Sequence, residues 1–204
     1  MREAIPLCER EAMFARNDKV VYPGHGVAVI SCIIEKKIAG RSLQFFELRF
    51  LNKDMTILVP TENASAVGIR PLSSAEYIKD IFKILAQPVV LKHLDAVVSN
   101  WNKRNKEYQG KLRSGNLLEL CAIYRDLKHI ELSKELSFGE KNLLQQTEGL
   151  LIEEIAIVTK VEVTDAAKQL KELVDYTVKQ SSNPIRKKID STRKKIDILY
   201  NKTE

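Results

Sequence analysis

Two hydrophobic periods divide the chain. Up to about residue 71 apolar side chains recur in short, strand-like runs. Lys19–Tyr22 is β-branched and aromatic and enters Pro23-Gly24-His25-Gly26, a turn whose glycines accept positive φ. Val27 to Lys36 follows, rich in Val and Ile, and ends at a second turn, Ala39-Gly40. Leu43–Phe50 sets Leu43, Phe45, Glu47 and Arg49 on one face, and Gln44, Phe46, Leu48 and Phe50 on the other. Asn52-Lys53-Asp54 predicts a hairpin turn before Met55–Val59, which Pro60 closes, and Val67–Pro71 predicts a short fifth strand. Five short strands joined by tight turns predict a small antiparallel barrel or strongly bent sheet.

From residue 74 the period becomes 3.6. Tyr77, Ile78, Ile81, Phe82 and Leu85 form one stripe, and Pro88 ends that helix. After a looser stretch, Val89 to Ser99, a helix capped by Asn100 runs to Ser114-Gly115. Leu117, Leu120, Cys121, Tyr124 and Leu127 mark the core face of the next. Ser137-Phe138-Gly139-Glu140 is a capping box that opens a helix carrying Leu144, Leu151, Ile155 and Val158. A further helix begins at Thr164, with Ala167, Leu170, Val174 and Val178 on one side. Ser181-Ser182-Asn183-Pro184 breaks the pattern. Beyond it Arg-Lys-Lys-Ile-Asp occurs at 186–190 and again at 193–197, one heptad apart. Two heptads are too short to stand alone, so this helix needs a surface to lie on.

Composition narrows the class. Of 204 residues 44% are hydrophobic and 29% charged, a globular balance. No apolar run reaches the roughly 20 residues of a membrane span. Glu3, Glu9 and Glu11 interrupt a start that lacks an apolar core, so no signal peptide is expected and the cytoplasm is the expected compartment. Three widely spaced cysteines (Cys8, Cys32, Cys121) form no CxxC pair and predict neither a disulfide framework nor a structural zinc site. The net charge of +6 is uneven: residues 1–76 and 77–158 each carry +1, and residues 159–204 carry +4. The tail therefore reads as a helix packed back on the protein, as a basic arm along DNA, or as a pairing helix.

No nucleophile–base pair, metal-ligand spacing or phosphate loop appears, and His25 between two glycines reads as a turn residue. The expectation is a non-enzymatic, cofactor-free protein. One segment carries binding chemistry. Trp101 is the sole tryptophan, and residues 101–113 hold five basic residues against one acid, Glu107. Spacing from Trp101 to Tyr108 and Leu112 puts all three on one helical stripe, which reads as core. Its place in the first turn, beside Lys103, Arg104 and Lys106, reads instead as a flat apolar group flanked by phosphate-binding cations.

A joint pattern resolves much of this. Asp18-Lys-Val-Val-Tyr-Pro-Gly-His-Gly-Val27, Met55-Thr-Ile-Leu-Val-Pro60, Asn63-Ala64 and Val67-Gly-Ile-Arg-Pro71 form its first half. Asn100-Trp101, Ser114-Gly115, Tyr124-Arg125-Asp126-Leu127 and Ser137 with Glu140-Lys141 form its second. Over residues 13–158 the chain resembles the CarD family of bacterial transcription regulators, whose first domain is shared with the transcription-repair coupling factor. The resemblance implies an α+β fold: a small antiparallel Tudor-like β barrel (13–73), then an all-α domain (74–160). An N-terminal extension (1–12) precedes them, with Met1 and Met13 as alternative starts, and a basic helical extension (161–204) without counterpart in compact members follows.

The resemblance also implies partners. The barrel is expected to dock on the RNA polymerase β subunit through Lys36, Leu48, Leu58 and Pro60. Leu58 stands where some members carry a polymerase-contacting arginine. The helical domain is expected to wedge Trp101 into the promoter minor groove at the upstream edge of the bubble, with Lys103, Arg104, Lys106 and Lys141 on phosphates, and so to stabilise the open complex. The protein is expected to act as a monomer, on the nucleoid through polymerase, with no membrane and no small-molecule substrate. An adaptor that only docks on proteins through the barrel is the alternative.

Overall fold

The computed structural model describes residues 14–38, 40–87 and 101–178, in two compact units that divide between Leu72 and Ser73. The expected 1–12 extension, Pro88, the Asn100 cap and the tail heptads lie outside the described residues.

The first unit is a five-stranded antiparallel sheet of order β4-β3-β2-β1-β5. It comprises β1 (Lys19–Tyr22), β2 (Gly26–Ile38), β3 (Arg41–Phe50), β4 (Thr56–Pro60) and β5 (Arg70–Pro71). The β1–β2 turn is tight because Gly24 and Gly26 take φ of +74° and +108°, and the His25 N–H donates to the Tyr22 carbonyl at 3.0 Å. Between Ile30 and Cys32 the register shifts, leaving Ser31 unmatched as a bulge. Its hydroxyl turns that irregularity into a contact, donating to the Glu47 carbonyl at 3.0 Å and to its carboxylate at 2.5 Å.

The sheet's buried face unites Val20, Ala28, Ile30, Phe46, Leu48, Phe50 and Val59 with Phe14, Ala64 and Ile69. Edge strands β4 and β5 flank it. The fifth strand is shorter than the sequence predicts. Ala64–Val67 forms a one-turn helix (α1) that ends at Gly68, φ +84°, and only Arg70 and Pro71 pair with β1. A side chain at Gly68 would be strained at that φ, and its Cβ would also press on Pro23 at 3.2 Å.

The second unit is helical: α2 (Ala75–Leu85), α3 (Trp101–Ser114), α4 (Leu117–Ser133), α5 (Phe138–Thr159) and α6 (residues 163–178). Three of these starts, those of α2, α4 and α5, have a visible local cause. Ser74 Oγ accepts from the Tyr77 N–H, Asn116 Oδ1 accepts from the Leu118 N–H, and Ser137 with Glu140 closes the capping box. The helices share one core in which Ile81, Leu85, Tyr124, Leu127, Leu151 and Ile155 are fully buried. Ala166, Leu170, Val174 and Val178 of α6 lie in that same core. The division expected at residue 160 is therefore no packing boundary, and α6 completes the helical unit. No described helix is long and apolar enough to cross a membrane.

Candidate functional site

The helical site lies where the first turns of α3 and α5 meet. Trp101 opens α3 and is half-buried, packed against the core on one side. Its indole lies against Gly139, the second residue of α5: a Cβ built there would sit 3.0 Å from Trp101 Cζ2. Glycine gives the indole this close approach, and a side chain at 139 would make the ring give way by a few tenths of an ångström; no special backbone angle is involved. The ring packs against the core, as the stripe with Tyr108 and Leu112 implies, and remains partly accessible to solvent.

Arg104 departs from expectation. It is 4% exposed, and its Nη2 donates to Glu140 Oε1 at 2.7 Å, so it does not stand among the exposed cations. The cause is helical spacing. Arg104 precedes Tyr108 and Leu112 by four and eight residues, and all three face the core. Its guanidinium carbon sits 6.0 Å from the Trp101 ring, and Nε and Nη1 have no hydrogen-bond partner among the described residues.

Glu140 is the hub. Its Oε1 receives Arg104 and, at 3.4 Å, Lys134 Nζ, while Oε2 accepts from the Ser137 N–H and hydroxyl, both at 2.9 Å. Burial alone would raise its carboxyl pKa. The two Ser137 bonds and Lys134 outweigh that, and the group is held below the ordinary carboxylate value. One carboxylate thus caps α5 and ties α3 to it.

Around this junction Lys103 and Lys106 are exposed on α3. Lys141 is half-exposed and reaches Glu135 at 2.8 Å. Phe138, first residue of α5, is 81% exposed. Sequence reasoning read residues 137–140 only as a cap, and so passed over Gly139 as a seat and Glu140 as an ion-pair partner.

The sheet carries the second candidate surface. Directly paired residues on neighbouring strands share a face. Lys36 pairs with Leu43, Cys32 with Glu47, Glu47 with Leu58, and Phe45 with Pro60. Lys36, Leu58 and Pro60 therefore lie on one face with Leu43, Phe45 and Glu47, and Leu58 is 38% exposed on the edge strand. Leu48 pairs with Ile30 and Ile57 on the opposite face and is 0% exposed. This corrects the expectation that Leu48 lines a docking surface: it is core. Glu47 is held below its ordinary pKa by hydrogen bonds from Ser31 and Cys32, so the face keeps a carboxylate among its apolar groups. Among the described residues no three His, Cys, Asp or Glu side chains cluster to hold a metal.

Comparison with known proteins agrees with this two-part layout. A family model described as "CarD-like/TRCF RID domain" matches residues 14–73, and one described as "CarD, C-terminal domain" matches residues 80–171. The second match runs past residue 158, where the sequence resemblance was expected to end, and takes in the first half of α6. A Bacillus subtilis (strain 168) protein named "Putative transcription factor YdeB" is 29% identical over 146 residues, 72% of this chain and 92% of its own. The 72-residue N-terminal domain of Myxococcus xanthus CarD, solved by solution NMR, is 36% identical over 28% of this chain and 77% of that one, with a TM-score of 0.26.

Proposed function

Because the chain belongs to the CarD family, and with it to the regulators of transcription, we propose that it bridges RNA polymerase and promoter DNA by binding alone. In this reading the helical unit holds the upstream edge of the melted bubble from the minor-groove side, and the sheet docks on the polymerase β subunit. One observation carries it: a half-buried tryptophan, seated on Gly139, at the head of a helix that presents Lys103 and Lys106 to solvent. A flat apolar ring covers an exposed base step while cations hold the flanking phosphates. The mechanism is linkage. A protein that binds the open complex better than the closed one shifts melting toward open, and a preference of about 1.4 kcal/mol shifts it tenfold.

Docking supports this economically. The face carrying Lys36, Leu58 and Pro60 borders the outer edge of β4, which among the described residues pairs only with β3, and an edge of this kind can offer main-chain groups to a partner. Tethering to polymerase raises the local concentration of the helical unit at the promoter, so weak intrinsic DNA affinity suffices. Permanganate footprinting of a promoter with polymerase, with and without the protein, tests the proposal. Increased reactivity of bubble thymines is expected on addition. An adaptor that acts only on proteins leaves the footprint unchanged, and that result refutes the reading.

A further inference from the structure

Three of the four residues at the head of α5 have an assigned task. Ser137 and Glu140 form the capping box, and Gly139 leaves room for the Trp101 ring. Phe138 has none. It contributes nothing to the cap, and a hydrophobic staple would use Leu136 and residue 141, which is a lysine. At 81% exposure it is the most exposed large apolar side chain among the described residues, ahead of Tyr176 at 63%. Left in water, it forgoes the gain of burial, and its apolar surface is available to a partner. Its neighbour along the chain, Gly139, is the residue the indole lies against, so Phe138 belongs to the same α3–α5 junction as Trp101.

We propose that Phe138 is a second aromatic contact to promoter DNA, working beside Trp101 at the upstream edge of the bubble. This rests on the functional reading above and extends it to a residue that the sequence pattern uses only as cap filler. The occupant is nucleic acid because the helix that carries Trp101 also presents Lys103 and Lys106 to solvent. Lys134 and Lys141, within four residues of Phe138, are ion-paired to Glu140 at 3.4 Å and to Glu135 at 2.8 Å, so the cations of α3 carry the argument. An exposed apolar ring at a junction that also presents lysines suits a sugar edge or unstacked base between phosphates. A second ring at this junction would enlarge the apolar contact that Trp101 alone can make.

The test uses full-length protein, polymerase holoenzyme and a promoter fragment, and reads open-complex lifetime after competitor challenge. Phe138→Ala is expected to shorten the protein-dependent lifetime by roughly three- to tenfold, and Phe138→Tyr to retain it, with the melting temperature unchanged in both. Photocrosslinking from benzoylphenylalanine at position 138 is expected to capture promoter DNA. A wild-type lifetime for Phe138→Ala alongside a shortened one for Trp101→Ala overturns the second contact while leaving the first reading intact. Wild-type lifetimes for both variants overturn the two together. A lowered melting temperature for Phe138→Ala, or crosslinks to polymerase alone, overturns the proposal by showing that Phe138 serves protein packing.

Discussion

Neutralising Glu140 without changing its shape isolates the buried charge at the α3–α5 junction. In Glu140→Gln an amide oxygen can still accept from the Ser137 N–H and hydroxyl, so the cap survives. The partner charge of Arg104 disappears. Arg104 is 4% exposed, Glu140 is 1% exposed, and Nε and Nη1 of the arginine have no other hydrogen-bond partner among the described residues. Trp101 sits 6.0 Å from the guanidinium carbon, at the limit of cation–π attraction, and cannot replace a carboxylate.

Removing one partner of a buried pair costs about 3–5 kcal/mol, because the other charge is left uncompensated. Against a typical domain stability of about 5–15 kcal/mol this is a large share. With a urea slope of about 2 kcal/mol per molar, the midpoint should fall by roughly 2 M. Arg104→Met in the same background should recover most of the loss, since no buried charge is then left uncompensated. Acid gives an independent reading. Glu140 titrates lower in the folded than in the unfolded protein, so its stabilisation is complete above the unfolded value of about 4.3 and is lost as pH falls through the folded one. Glu140→Gln should flatten stability across that window. A Glu140→Gln midpoint within about 0.5 M of wild type, or additive losses in the double variant, would show that Arg104 does not depend on this carboxylate.

Gly139→Ala should add helix propensity of up to about 1 kcal/mol while forcing the indole off its seat. As Trp101 is the sole tryptophan, its fluorescence maximum should shift while thermal stability holds; an unchanged spectrum contradicts the close contact. Leu58→Asp should keep the sheet folded and abolish pull-down of the polymerase β lobe, whereas Leu48→Asp should unfold the sheet. Equal effects of the two on circular dichroism would contradict the assignment of faces. Truncation at Ser181 should flatten the slope of log duplex affinity against log salt by about 0.9 for each lost phosphate contact among Arg186, Lys187, Lys188, Arg193, Lys194 and Lys195. A slope unchanged by truncation argues against a DNA-binding tail.

Much of the fold was legible because its determinants are local. The Pro23–Gly26 turn, the alternation of Phe46, Leu48 and Phe50, and the Ser137–Glu140 box each act within a few residues. The fifth strand was over-read because the apolar pair Val67 and Ile69 resembles a strand, whereas the glycine between them ends a helical turn. Leu48 and Arg104 show a different failure. Period-two alternation already set Leu48 on the face of Phe46 and Phe50, whereas the stripe of Trp101, Tyr108 and Leu112 left out Arg104, four residues before Tyr108. Resemblance placed Leu48 in a contact surface and the basic run beside Trp101 placed Arg104 in one, and packing placed both inside. The Trp101–Gly139 and Arg104–Glu140 contacts were not legible, because each joins residues about 36 positions apart and only the packing of α3 on α5 brings them together.

The central claim is that Trp101 stabilises the open complex through a contact separate from polymerase docking. The direct measurement is the lifetime of a competitor-challenged open complex formed with wild-type protein, with Trp101→Ala, and with neither. Stacking on a base is worth about 1–3 kcal/mol, so Trp101→Ala is expected to lose roughly tenfold or more of the added lifetime while binding the polymerase β lobe as wild type does. A Trp101→Ala protein that folds, docks and still gives the wild-type lifetime would contradict the account.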